Sequence, residues 1–136
     1  MIKPIMKSEF FLRLPSEDAG PDDAATGQDL LDTLHEHERE CVGLAANMIG
    51  VRKRIICVKD GNRTLLMYNP QILEQVNAYQ TSEGCLSLIG ERPCTRYRRI
   101  KVEYLDENFV HRIKNFSGYT AGIIQHEIDH CNGVVV

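Results

Sequence analysis

The 136-residue chain contains no tryptophan, and aromatic residues make up only 7% of it. A surplus of positive charge is also missing: sixteen Lys and Arg stand against nineteen Asp and Glu, a net charge of −3. That balance argues against direct nucleic-acid binding, which needs clustered cations facing phosphate. No apolar run approaches the ~20 residues that cross a bilayer. Met1 to Phe10 has two lysines but only broken apolar stretches, unlike a secretory leader. The expected location is therefore the cytoplasm, without a membrane partner. Internal repeats and low-complexity tracts are absent. So is a regular cysteine framework: five irregularly spaced cysteines speak for reduced thiols, at least one with a chemical task. What is present, 43% hydrophobic and 26% charged residues, is ordinary for a globular protein. The length suits one core, so residues 1–136 are expected to form a single domain.

Local patterns predict the elements. Pro15 to Gln28 is rich in small and turn-forming residues and reads as a surface loop. Thr26 with Asp29 three residues on, then Leu30, Leu31 and Leu34 at helical spacing, predicts an N-terminal helix to about Glu40. Residues 54–59 and 64–68 read as strands joined by a tight turn at Asp60-Gly61. Residues 99–105 alternate polar and apolar, and Asp106 to Asn108 turns the chain into an antiparallel partner over 110–116. A last helix, about Tyr119 to Cys131, is expected to be capped by Asn115 or Ser117 and ended by Asn132-Gly133. The fold class is α+β: antiparallel strands packed around a C-terminal HExxH metal-ligand helix, with an N-terminal helix.

The chemistry concentrates in that last helix. His126-Glu127-Ile128-Asp129-His130 is an HExxH sequence, and residues four apart on a helix lie one above the other, so both imidazoles can meet one ion. A divalent ion such as zinc or ferrous iron lowers the pKa of a water it holds, and Glu127 can take that proton as general base. Two surface histidines would be the plain alternative. However, Tyr119, Gly122 and Ile123 share the face of His126, which places the histidines on the less polar side of the helix. Histidines buried there are costly unless they ligate or hydrogen-bond.

A third ligand is expected upstream. A zinc protease of the thermolysin kind needs a glutamate well downstream, and only six residues follow His130. The extended HExxHxxGxxH pattern fits at Gly133 but fails at Val136, which cannot ligate. Upstream candidates are Cys41, Cys57, Cys85, Cys94, His35, His37 and His111. Cys57 lies in an apolar strand and reads as core, and His35 and His37 cannot face the same way on a helix. Cys85 stands out through its setting, Glu83-Gly84-Cys85-Leu86-Ser87, where a glycine allows close backbone approach and Glu83 can orient a ligand. One thiolate with two imidazoles leaves the open position of a catalytic site.

Three ordered blocks now resemble the peptide deformylase family along essentially the whole chain. Gly43-Leu-Ala-Ala46, within Cys41 to Gly50, is similar to its GxGxAAxQ motif, Glu83-Gly-Cys-Leu-Ser87 to EGCLS, and Gln125-His-Glu-Ile-Asp-His130 to QHExxDH. The resemblance implies one divalent metal ion, Fe(II) or Zn(II), held by Cys85, His126 and His130, with Glu127 as base and the Leu86 N–H at the oxyanion. It implies removal of the formyl group from the N-terminal formylmethionine of nascent polypeptides, with the ribosome as the expected place of encounter. It places Arg92 near the substrate, and Val42, Gly43, Tyr119, Gly122 and Ile123 around the methionine side chain.

Two residues depart from the pattern. Met48 stands where the family has a glutamine whose amide supports the carbonyl oxygen, and a thioether has no N–H to donate. Loss of one such donor typically costs ~10²–10³ in rate, about 3–4 kcal/mol. Asn47 is an alternative donor if the loop turns differently. Cys41 replaces the motif's first glycine and either narrows the cleft or adds a second thiol near the metal. These departures motivate an alternative, a degenerate metal-binding relative with weak or no activity and a binding or regulatory role. A purely structural four-ligand site would need Cys41 as the fourth ligand.

Overall fold

The computed structural model describes residues 1–136 and has one five-stranded antiparallel sheet flanked by helices. The helices are α1 (Glu9–Leu12), α2 (Ala24–Glu36) and α3 (Gly118–Cys131). The strands are β1 (Gly43–Ala45), β2 (Ile55–Asp60), β3 (Arg63–Cys85), β4 (Leu88–Leu105) and β5 (His111–Ser117), paired in chain order β1-β2-β3-β4-β5. Ile55 to Val58 of β2 are fully buried, as a strand covered on both faces must be. They sit between the apolar faces of α2 (Leu30, Leu34) and α3 (Ala121, Ile124, Ile128). Fully burying a leucine such as Leu30 or Leu34 is worth about 1.5–3 kcal/mol.

Several boundaries differ from expectation, each for a local reason. The N-terminal helix starts at Ala24, not Thr26, because Gly20 and Pro21 to Asp23 form a turn whose Asp23 carboxylate accepts the Gly20 N–H at 2.9 Å. It ends at Glu36 rather than Glu40, where the His37 N–H already bonds back to Thr33 and Leu34. The β2–β3 turn is Gly61-Asn62, since Asp60 still pairs with Arg63, and Gly61 takes the positive φ (+61°) that the turn requires. Ser117, not Asn115, holds the N-cap position of α3, and its side chain makes no capping bond; Asn115 lies inside β5. The short helix α1 was not expected; Ser8 caps it by accepting the Phe11 N–H at 3.2 Å.

The largest difference is the length of β3 and β4. A straight 23-residue strand would extend about 75 Å, far beyond a chain of this size with a radius of gyration of ~14 Å. The hairpin therefore bends, with register shifts between Tyr68 and Gln71, Ile72 and Glu74, and Glu83 and Cys85. Asn69 and Asn77 take positive φ values of 54° and 65° along it. The bent hairpin brings its tip, with Cys85 and Leu86, back towards α3.

Candidate active site

A cavity of about 1080 Å³ opens between the hairpin tip, the segment from Glu40 to Met48, and α3. Cys85, Leu86, Met48, Val42, Gly43, Tyr119, Gly122, Ile123, His126 and Glu127 all line it. Three separate stretches of chain thus converge as the motifs implied. His130 is fully buried behind His126. Arg92 is the exception: it is not on the cavity wall, and its guanidinium faces Glu9 at 3.6 Å, on the short helix α1.

Helical spacing brings the two imidazoles together, with their Nε2 atoms 3.2 Å apart. His126 Nδ1 lies 2.8 Å from Glu83 Oε1, so in the neutral ring it donates there and leaves its Nε2 lone pair directed at His130. Glu83 in turn accepts from Arg96 Nη2 at 2.8 Å and Nε at 3.1 Å, and Arg96 Nη1 reaches Asp129 at 2.7 Å. This partly buried chain from β3 through β4 to α3 fixes the ring plane of His126.

The electrostatics follow from burial and neighbours in the metal-free protein. Burial disfavours the Glu83 carboxylate, but hydrogen bonds from His126 and Arg96 outweigh it and hold its pKa near about 2. Burial likewise opposes a charged His126, yet the Glu83 bond and the Glu127 charge raise its pKa above the usual value. His130 has no such partner; burial and the charges of His126 and Arg96 drive it down to about 3, which keeps it a neutral ligand-type imidazole. Glu127 is raised to about 7 by burial, against the pull of His126. A carboxylate poised there can take and return a proton at neutral pH.

The donor set fits a divalent ion. Two imidazole nitrogens converge, a thiol lies on the same cavity wall, and the buried Glu127 Oε1 has no protein partner. Cys85 does not close on the pair in this conformation: no group of three His, Cys, Asp or Glu side chains is gathered tightly enough to hold an ion.

Packing around the site explains other residues of the motifs. Gly43 must lack a side chain, because a Cβ would stand 2.7 Å from Ile123 Cγ2 and 3.0 Å from Glu127 Oε2. Gln125 binds β4 like a paired strand, accepting from Tyr97 N and donating to Tyr97 O, both at 2.8 Å. Asn47 donates to the His130 carbonyl at 2.9 Å, so its amide steadies α3. Cys41 donates its S–H to the Gly43 carbonyl at 2.9 Å, and burial pushes its pKa up to about 12. Lys7 donates to the Leu86 carbonyl at 2.8 Å and ties the hairpin tip to the N-terminal strap.

Sequence reading missed Tyr79, Glu91, Glu40 and Arg98 on the cavity wall. Tyr79 and Glu91 lie on the long hairpin, whose course depends on bulges that no sequence period announces. No helix is long and apolar enough to cross a membrane.

Comparison with known proteins agrees with this geometry. The family model described as Polypeptide deformylase matches residues 6–136. A peptide deformylase of Clostridium beijerinckii is 51% identical over 136 residues, the whole of both chains. Peptide deformylase 1 of Clostridium perfringens is 39% identical over 111 residues, 79% of this chain and 74% of that one. The crystal structure of Thermotoga maritima peptide deformylase superposes with a TM-score of 0.89 at 29% identity, covering 99% of this chain and 95% of that one. The class I type b peptide deformylase from Acinetobacter baumannii, solved with Met-Ala-Ser bound, gives 0.86 at 30% identity, covering 99% and 97%. A match over nearly the full length, joined to three motifs meeting in one cavity, places this chain in the polypeptide deformylase family.

Proposed function

We propose that the protein is a metal-dependent hydrolase that removes the N-formyl group from the N-terminal formylmethionine of nascent polypeptides. The observation that carries this reading is the buried Glu127 on the cavity wall, beside two imidazoles whose Nε2 atoms converge at 3.2 Å. Family membership supports the same activity over the degenerate alternative. The structural relative solved with Met-Ala-Ser bound, a tripeptide of the product type, supports the same reading.

Cys85, His126 and His130 would hold one divalent ion, Fe(II) or Zn(II), which supplies Lewis acidity at the formyl oxygen and activates water. Glu127 takes the proton of the attacking water and returns it to the leaving amine nitrogen. The formamide C–N bond breaks, a C–O bond forms, and the products are formate and the free amino terminus. The Leu86 N–H donates to the oxygen as it gains charge. Met48 cannot donate there, and Asn47 is committed to His130, so this side of the site has one donor fewer. Glu83 keeps the His126 ring in register through its Nδ1 bond. Val42, Gly43, Tyr119, Gly122 and Ile123 surround the methionine side chain, with the cytoplasm, beside the ribosome, as the place of action.

The test is turnover of formyl-Met-Ala-Ser by Fe(II)-loaded protein prepared without oxygen. Glu127→Ala is expected to lower kcat by about 10²–10⁴ at unchanged metal content. Full metal occupancy without any turnover by the unaltered chain would sink the proposal.

A further inference from the structure

The wall of the cavity contributed by α3 has a gap that no step of the hydrolysis uses. Gly122 stands on the ligand-bearing face, four residues before His126. A Cβ at this position would meet only the Tyr79 hydroxyl oxygen, 3.7 Å away. The end of a tyrosine from β3 therefore borders, at ordinary contact distance, the open space where a side chain at 122 would begin. Arg98 of β4 lies over the Tyr79 ring, its Cζ 4.7 Å from the ring centroid, and both residues line the cavity. That stacking holds the ring, and the hydroxyl borders the cavity. Ile123 and Val42 keep the rest of the wall apolar. One turn of helix from Glu127, the pocket thus combines hydrocarbon with a phenolic O–H.

We infer that Tyr79 is a specificity-determining residue that gives the first-residue pocket a hydrogen-bonding wall, admitting formylated peptides that begin with methionine sulfoxide. The inference rests on the deformylase reading and concerns only which side chain is accepted. Thioether sulfur is a weak acceptor, whereas sulfoxide oxygen is polar and needs a partner when buried. A wholly hydrocarbon pocket leaves that oxygen unpaired and rejects it, while the Tyr79 O–H can donate to it. Norleucine, equal in length to methionine and without a heteroatom, is the apolar reference.

The test compares kcat/KM of the Fe(II)-loaded full chain, without oxygen, on tripeptides formylated at Met, Met sulfoxide or norleucine, each followed by Ala-Ser. Tyr79→Phe keeps the ring and removes the hydroxyl. It is expected to lower the sulfoxide-to-norleucine ratio about tenfold, the scale of one lost hydrogen bond. Calorimetric binding of the two deformylated tripeptides should shift the same way. A ratio unchanged within twofold overturns the inference. So does an unaltered chain that turns over the sulfoxide peptide more than a hundredfold more slowly than the norleucine one, a result that needs no variant to fold. Failure of the unaltered chain on all three peptides would instead strike the deformylase reading itself.

Discussion

The two walls of the cavity are built on opposite terms. On the α3 side the polar side chains are tied into a network, with Glu127 Oε1 and His130 Nδ1 left over: Glu83, His126, Arg96 and Asp129 form one continuous chain, and Gln125 is bonded at both ends of its amide. On the side of Cys41 to Met48 the lining is sulfur and hydrocarbon, and the one amide nearby, Asn47, faces away towards His130. The first wall holds charge and orientation; the second supplies shape. The two departures from the motif, Cys41 and Met48, both lie on the second wall.

If that division is right, the largest response should come from restoring a donor to the poor wall. Met48→Gln is expected to raise kcat/KM on formyl-Met-Ala-Ser by about 10²-fold, the usual worth of one oxyanion donor. An unchanged rate would show that Leu86 and the metal already saturate the oxygen's needs, and the two walls would then be equal in consequence. Next comes a break in the rich wall. Glu83→Gln removes the carboxylate that orients His126, and metal affinity, measured by competition with a chelating dye, is expected to fall about 10–100-fold. A fall in rate at unchanged affinity would assign Glu83 to the substrate instead.

The smallest effect sharpens the comparison from outside the cavity. Asp106, in the β4–β5 turn, accepts from the backbone of Val110 and Asn108 and from Arg112 Nε. The backbone bond from Val110, with help from Arg112, holds its pKa below the usual value. A carboxyl depressed in the folded state stabilises above its unfolded pKa of about 4 and loses that contribution as pH falls further. Asp106→Asn should therefore lower Tm slightly at neutral pH, by an amount that shrinks as pH falls below about 4. Activity relative to the unaltered chain should stay constant across neutral pH, since neither wall depends on this turn.

Legibility in the sequence followed the range of the interactions. The ligand helix was readable because His126, Glu127 and His130 interact within one turn. The Glu83 to Ser87 block was readable because its residues are contiguous. Buried β2 announced itself as an apolar run. By contrast, residues 73–78 of β3 are all exposed, alternation of half-buried and exposed positions begins only at Tyr79, and the course of the strand is set by shifts near Tyr68 and Ile72. Nothing local marks Tyr79 as a cavity residue, because its role depends on a glycine more than forty positions away. The position of Arg92 off the cavity wall has a similarly long-range origin: its partner Glu9 lies on a four-residue helix stabilised by a single cap and by packing of Leu12. Asn47 was foreseen only as an alternative, and the long-range bond to His130 decides against it.

That bond between Asn47 and the His130 carbonyl, spanning 83 positions, also bears on how the protein comes into being. Contacts of such separation form late, because the entropy of closing a long loop must be overcome before they contribute. The helix that carries both imidazoles is held by them, so it has no native position until β1, β2 and the returning hairpin exist. Assembly of the ion-binding pair and completion of the core are then one cooperative event, and a partly folded chain has neither.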